Sequence, residues 1–576
     1  MKKITIFFTG LALMWMAAAC SLDERILDTP GPVQVTSDQE LLPLINGLYS
    51  RFNDANAFKF RGWLMLTLCA DDFYSVAANE FQPFANRTYG GPNVSHFYNS
   101  LYLAVGAANQ LIGILDKVGD KLTPELVSRA YGEAYFVRAF SYYYLVRLYG
   151  GVPLRISPVN ADSDMYLPRA SIHEVYEQIF ADFREASLRL PQASELPVSE
   201  LGRATKGAAQ AIVAQAYLTY GNQRSLRGMD PTQQYEEAVL FADSVIHSGQ
   251  YQLIPNYADI FDINKEVDAY KEVIFGIRFQ ADPMAILLGS AGSEYAFRFG
   301  NSNTHFVSGN ANNGQGDGSV RPMHWMADYY LNHNDYVHPT QGIRDYRHEV
   351  TFVTRGYNST NDRYVVPYPF LPTTQENPIV FPLLAKYQDP NGRDHRNNGN
   401  DFFVIRFSEM YFILVEALNE LHGGPTYNYK GQQLFWWFNR VRARAQLADG
   451  TSRNRPFLIN NSNSPGMTQD EFRMRIFHER GLELLGEGQR WFDLVRMRHP
   501  SDPTKTMYEY QLVEELTKST YPKDAPTYTR SSNSYSNSFY VYEPSLNVSV
   551  PKHLLFPIPI EEMVRNPNFG EQNPRW

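Results

Sequence analysis

The segment from His478 to Arg498, HERGLELLGEGQRWFDLVRMR, sets four acidic and four arginine side chains around one tryptophan. Carboxylates at that density raise the possibility of glycoside hydrolysis, which needs two of them facing each other across a sugar, about 5–9 Å apart. The spacing argues otherwise. Glu479, Glu483 and Glu487 recur every four residues, so they run up one side of a helix and do not face each other across a cleft. Like charges stacked in this way repel, and Arg480, Arg490 and Arg496 lie within reach to offset them through forked contacts. HERGL also lacks the second histidine of a helical zinc site. The stretch is expected to be scaffold.

A second candidate is DPNGRDHRNNGND, residues 389–401, where Asp389, Asn391 and Asp394 surround Gly392 in the manner of a calcium loop. Asn400 stands where the bidentate glutamate belongs, which favours an Asx-type turn leading into the next element. No Gly-rich phosphate loop, nucleophile elbow or CxxC is present. The expectation is a non-enzyme with no catalytic residue, no resident metal and no cofactor.

Sugar binding asks for flat aromatic faces flanked by Asn, Asp or Arg that pair with adjacent hydroxyls. Three segments carry that combination. CADDFY places Asp71, Asp72 and Tyr74 after an apolar run, and SHFYNSLY places Tyr98 and Asn99 at a helix start. MHWMADYY puts Trp325 and Tyr329 one helical turn apart. The candidate ligand-binding set is therefore Asp72, Tyr74, Tyr98, Asn99, Trp325 and Tyr329. Core packing is the competing role for each ring.

The elements that must position these residues are mostly helical. SHFYNSLYLAVGAANQLIGILDKVG carries Leu101, Val105, Ala108, Ile112 and Leu115 at helical spacing. A threonine and proline open TPELVSRAYGEAYFVRAFSYYYLVRLYGG and two glycines close it; Ser171 and Glu174 form a capping-box pattern ahead of the next helix. Ala208, Ala211 and Ala214, then Ala238 and Ala242, recur where neighbouring helices would touch. Short amphipathic helices in antiparallel pairs suggest degenerate tetratricopeptide-like packing without a strict period. The expected layout is one domain over residues 37–576, with a helical scaffold at about 37–275 and 401–576. A loop-rich insertion at about 276–400, rich in Asn, Gly and aromatics, is where ligand binding is expected.

Lys2 and Lys3, an apolar run and Ala17–Ala19 read as an export signal over residues 1–19. It ends at Cys20 as a lipoprotein signal does, although Ala17 stands where leucine is usual. Cys20 is the expected acylation site, and residues 20–36 the tether. Cys69 is the one other cysteine and is expected to be a buried filler. Removing residues 1–19 leaves 50 basic against 61 acidic side chains, net −11, a balance that does not attract nucleic acid. The membrane is expected to be contacted through the lipid anchor alone.

Seven stretches taken together resemble the SusD/RagB family of Bacteroidetes nutrient-binding lipoproteins. They are VRAFSYYYLVRLYGGVPL, GRATKGAAQAIVAQAYL, YEEAVLFADSVIHSGQYQLIPNYADIF, IRFSEMYFILVEALNE, FNRVRARAQL, ERGLELLGEGQRWFDLVR and LLFPIPIEEMVRNPNFGEQNP, in the family's order. The resemblance implies a helical scaffold of tetratricopeptide-like pairs and a place on the extracellular face of the outer membrane. It also implies a SusC-like TonB-dependent barrel as partner, to which a captured oligosaccharide, or in part of the family a peptide, is delivered. Asp23 and Glu24 resemble the acidic surface-export signals of related lipoproteins, and many family members carry tryptophan where Tyr98 stands. A secreted glycoside hydrolase is the remaining alternative.

Overall fold

The computed structural model describes residues 35–75, 77, 80–160, 163–281, 292–300, 304–305, 316–337, 344–358, 362–389, 397–445, 458–515, 526–536 and 548–576. Cys20, the export signal and the tether as far as residue 34 lie outside the described residues, as do Asn391, Gly392 and Asp394.

The first block holds α1 (Asp38–Ser50), α2 (Arg61–Leu68), the short strand β1 (Phe73–Ser75), α3 (Gly91–Val118), α4 (Pro124–Tyr149), α5 (Ile172–Arg189), α6 (Lys206–Leu226) and α7 (Thr232–Ile246). Their boundaries follow local chemistry. Ser171 accepts from the Glu174 N–H while the Glu174 carboxylate takes the Ser171 N–H, so α5 starts on a closed capping box. Gly150 at φ +75° ends α4, a conformation that costs a side chain and not a glycine.

The interval that follows holds β2 (Val273–Ile277), β3 (Thr304–His305), β4 (Val320–Pro322), α8 (His324–Asn332), β5 (Gly356–Asn358), β6 (Arg363–Pro367) and β7 (Asn377–Ile379). The second block comprises β8 (Phe402–Arg406), α9 (Phe407–His422), β9 (Asn428–Tyr429), β10 (Gln432–Gln433), α10 (Leu434–Ala443), α11 (Gln469–Glu483) and α12 (Arg490–Arg496). The hairpin β11 (Tyr528–Thr529) and β12 (Ser534–Tyr535) and the short helix α13 (Ile560–Arg565) complete the chain.

Each long helix packs on the next, α3 on α4, α4 on α5, α5 on α6 and α6 on α7, and α7 then receives α9 from the second block. Such pairwise stacking of successive helices is the tetratricopeptide-like arrangement. The predicted stripe of α3 is buried from Leu101 to Leu115. Ala208, Ala211, Ala214, Ala238 and Ala242 are fully buried where α6 meets α7. The approach is closest at Gly221, where an added Cβ would fall 2.7 Å from the Tyr235 ring. Cys69 is a buried free thiol, held protonated by burial.

β2 and β8 pair antiparallel and every residue in both is buried. The chain therefore leaves the helical array at β2 and returns beside it at β8, and the aromatic-rich interval is anchored at its base. That interval contains a sheet in the order β3-β5-β6-β7, antiparallel except for β6 with β7. These strands span two to five residues, too few for an alternating pattern to stand out in the sequence. Among the described residues, no helix is long and apolar enough to cross a membrane.

Candidate functional site

The charged stretch is buried and fully committed. α11 opens on a Thr468–Glu471 capping box and ends at Glu483; Gly486 (φ +81°) and Gly488 (φ +71°) carry the chain on to α12. Glu487 therefore sits beyond the helix and does not extend the row along it. Glu479 takes Arg347 at 2.5 Å and also Arg442; Glu483 takes Arg347 at 3.0 Å, Arg406 at 2.8 Å and also Arg444. Glu487 takes Arg406 at 2.7 Å and Lys386 at 3.0 Å.

The partners expected from the sequence are thus corrected. Arg480 pairs with Asp493 and Glu409, Arg490 grips Asp71 with two bonds, and Arg496 reaches Glu416 and Asp493. Consecutive helix residues point about 100° apart, so Arg480 cannot serve the face of Glu479. Burial alone would raise the Glu483 carboxyl, but Arg444, Arg406 and Arg347 together hold it well below the usual range. A carboxylate with its acceptor positions filled by buried cations cannot attack or protonate a substrate.

A different constellation forms where β1 pairs with β4. The register sets Tyr74 opposite Arg321 and Phe73 opposite Pro322. Alternation along the strand buries Phe73 completely and leaves Tyr74 half-exposed. Just before the strand, Asp71 is locked by Arg490, while its backbone carbonyl accepts the Trp325 indole N–H at 2.9 Å. Asp72 is buried beside it. Burial first, and the Asp71 charge second, push its carboxyl well above the ordinary range.

From Tyr74 a file of rings runs through the interval, its middle members His324 and Tyr368 buried. His324 at the start of α8 lies 6.1 Å from Tyr74 at 27°, and its Nε2–H donates to the Val380 carbonyl at 2.8 Å. Tyr368 follows at 5.3 Å from His324, Tyr535 at 4.9 Å from Tyr368 and Tyr528 at 5.3 Å from Tyr535. Tyr74, Tyr535 and Tyr528 are half-exposed. Arg530 ties the β11–β12 hairpin to the Thr374 and Glu376 carbonyls, which fixes Tyr535 against Tyr368. Polar groups flank the file. Asp328 accepts from Asn332 at 2.7 Å and approaches the Tyr368 hydroxyl at 3.5 Å, and the Arg321 guanidinium lies 3.6 Å over Phe381. Tyr329 stacks on His333 at 4.3 Å and faces His478 at 4.8 Å.

Of the residues singled out in the sequence, Asp72, Tyr74, Trp325 and Tyr329 come together around β1, β4 and α8, but only Tyr74 and Tyr329 offer surface. Trp325 is 7 % exposed with its indole N–H committed, so it has no free face for a sugar. Tyr98 is 1 % exposed on α3, edge-on to Tyr149 and against Tyr102, and Asn99 beside it is exposed. The helical period decides this outcome: Tyr98 falls on the same face as Leu101 and Val105. Tyr368, Tyr535, Tyr528 and Asp328 were not picked out from the sequence. The aromatic–proline run YVVPYPFLP and the serine-rich SSNSYS carried a composition cue, but nothing in either says that they meet.

Residues 271–576 match the sequence model of the SusD family, and residues 33–218 match a model described as starch-binding, associating with outer membrane. A SusD-like protein of Formosa agariphila is 26 % identical over the full length of both chains. A SusD-like protein of Bacteroides ovatus is 24 % identical, over 83 % of this chain and 81 % of its own. Among solved structures, a SusD homolog from Bacteroides thetaiotaomicron superposes with TM-score 0.73 at 19 % identity, covering 93 % of this chain and 97 % of that one. A laminarin-binding SusD-like protein superposes with TM-score 0.66 at 19 % identity, covering 94 % and 100 %. The chain belongs to the SusD family.

Proposed function

We propose that this SusD-family chain is a non-catalytic surface lipoprotein that captures an oligosaccharide on the half-exposed rings of Tyr74, Tyr535 and Tyr528 and delivers it to a SusC-like TonB-dependent transporter barrel. The observation that carries the reading is that file: the half-exposed rings of Tyr74, Tyr535 and Tyr528 backed by the buried His324 and Tyr368, with Arg530 tying the hairpin down and Asp328 and Arg321 at its margins. Pyranose C–H faces pack on such rings, and adjacent hydroxyls pair with the carboxylate and guanidinium. No metal or cofactor enters the reading. The match to a family model described as starch-binding and the likeness to a laminarin-binding SusD-like protein favour a glucan among glycans. Acylation at Cys20 places the body at the outer face of the outer membrane.

The hydrolase alternative loses its motive once the glutamates of the charged stretch are sealed by guanidinium groups. Calorimetric titration of the mature protein with laminarin and starch oligosaccharides and with a peptide library tests the proposal. Saturable glycan binding with the sugar recovered intact is expected. Cleavage products, or peptide binding without glycan binding, would overturn it. Cys20→Ala should move the protein out of the membrane fraction, and its retention there would remove the anchor from the account.

A further inference from the structure

We infer that α10 carries a second glycan-contacting face, centred on Trp436, that takes one neutral pyranose unit; the inference rests on the glycan reading above. Leu434, Phe435, Trp437, Phe438 and Val441 bury one side of α10 against the scaffold. Trp436 points the other way and is 41 % exposed, whereas Trp63, Trp325, Trp437 and Trp491 are exposed by 7 % or less. The indole is held in place. Trp437 meets it edge-on at 4.8 Å, and Arg440, one turn further on, lies 5.2 Å from its centroid.

The rim beside it is made of amides. Gln433 precedes Trp436 by three residues, so the two share one side of the first helical turn. Asn461 donates to the Gln433 side-chain oxygen at 3.0 Å. That bond leaves the Gln433 Nε2 donor and the Asn461 Oδ1 acceptor side by side, the pairing that two adjacent sugar hydroxyls satisfy.

Both supports are built before any ligand arrives. Gln433 leaves a hairpin closed by Lys430 (φ +51°) and Gly431 (φ +83°), a two-residue turn of the type that matches strand twist. Asn461 sits in a segment fixed by reciprocal bonds between Asn439 and Ile459 and by Asn463 donating to the Leu458 carbonyl at 2.8 Å. An aromatic platform whose rim offers amides and the Arg440 guanidinium presents the donors and acceptor that sugar hydroxyls satisfy. A long glycan touching both this face and the ring file gains avidity with no change in either contact.

Fluorine NMR on fluorotryptophan-labelled mature protein tests this, with the Trp436 resonance assigned by its loss in Trp436→Phe. Titrated with laminarihexaose and maltohexaose, the Trp436 signal should shift saturably with at least one of them. The shift should persist in Tyr535→Ala and be weakened at least fivefold in Gln433→Ala. A Trp436 signal unmoved by either glycan, while calorimetry still detects binding elsewhere, overturns the inference and leaves the main reading intact. Absence of any glycan binding overturns both. A shift that follows protein concentration instead of sugar concentration marks the face as a protein contact and also overturns the inference.

Discussion

The charged stretch of α11 and α12 and the ring file around β4 and α8 are both dense in side chains that do chemistry elsewhere, yet they differ in what remains unfilled. In the first, Glu479, Glu483 and Glu487 are each shared between two or three buried cations, and those cations come from four separate parts of the chain. In the second, Tyr74, Tyr535 and Tyr528 keep part of a face in water. Packing one region shut fixes the fold. The rings left half-open beside Asp328 and Arg321 are the proposed place for a ligand. Charge density in a sequence therefore marks the joint between the aromatic interval and the helical array, through Arg347, Lys386 and Arg406, and does not mark the reactive centre.

The largest expected effect breaks the joint. Glu483→Gln leaves Arg347, Arg406 and Arg444 short of a counter-charge in the core, where removing one partner of a buried pair costs about 3–5 kcal/mol. Chemical denaturation should show that loss, while glycan affinity of the folded fraction at 25 °C stays near wild type. A folded Glu483→Gln protein that no longer binds glycan would erase the distinction between the two regions.

Trp325→Ala sharpens it from the other side. The indole is packed and its N–H engaged, so its removal opens a cavity costing about 3–5 kcal/mol. The loss should appear in stability first, and in affinity only through movement of the adjacent β1. If Trp325→Ala weakens binding with stability unchanged, the boundary of the binding face lies deeper than drawn here.

Acid separates the regions by order of failure. Burial lowers His324, in the ring file, to about 4, so it is neutral when folded, whereas the unfolded chain protonates it near 6.5. The unfolded state then binds more protons, and stability falls as pH drops from about 6.5 toward 4. Glu483 has a depressed folded pKa, so its contribution is full above the unfolded value near 4.3 and is lost only below it. Melting temperatures between pH 7 and 5 should fall less steeply in His324→Gln than in wild type. An identical slope would show that His324 does not carry the acid sensitivity of the ring file.

Most of the fold was legible because long helices repeat their signals. The stripe from Leu101 to Leu115, the Ser171–Glu174 box and the alanines of α6 and α7 each specify a contact that the structure makes. The binding face was legible only in part. Tyr74 stood out by composition, but Tyr368 and Tyr535, which join its file through His324, arrive from segments far along the chain. Strands of two to five residues carry no periodicity to announce such meetings. Tyr98 and Trp325 misled for a related reason: a ring inside a polar segment looks exposed until the helix face it occupies is known. The arginines opposite the glutamate row were hidden in the same way, since Arg347, Arg406 and Arg444 are brought in by tertiary packing and not by spacing.

The measurement that tests the central claim most directly is the affinity of Tyr74→Ala/Tyr535→Ala for the glycan that wild type binds best, taken with its melting temperature on the same sample. Each half-exposed ring contributes on the order of 1.4 kcal/mol or more to a stacked sugar, so the double variant should bind about a hundredfold more weakly while melting near wild type. Unchanged affinity in that variant, or a loss that merely tracks unfolding, would contradict the assignment of binding to the ring file.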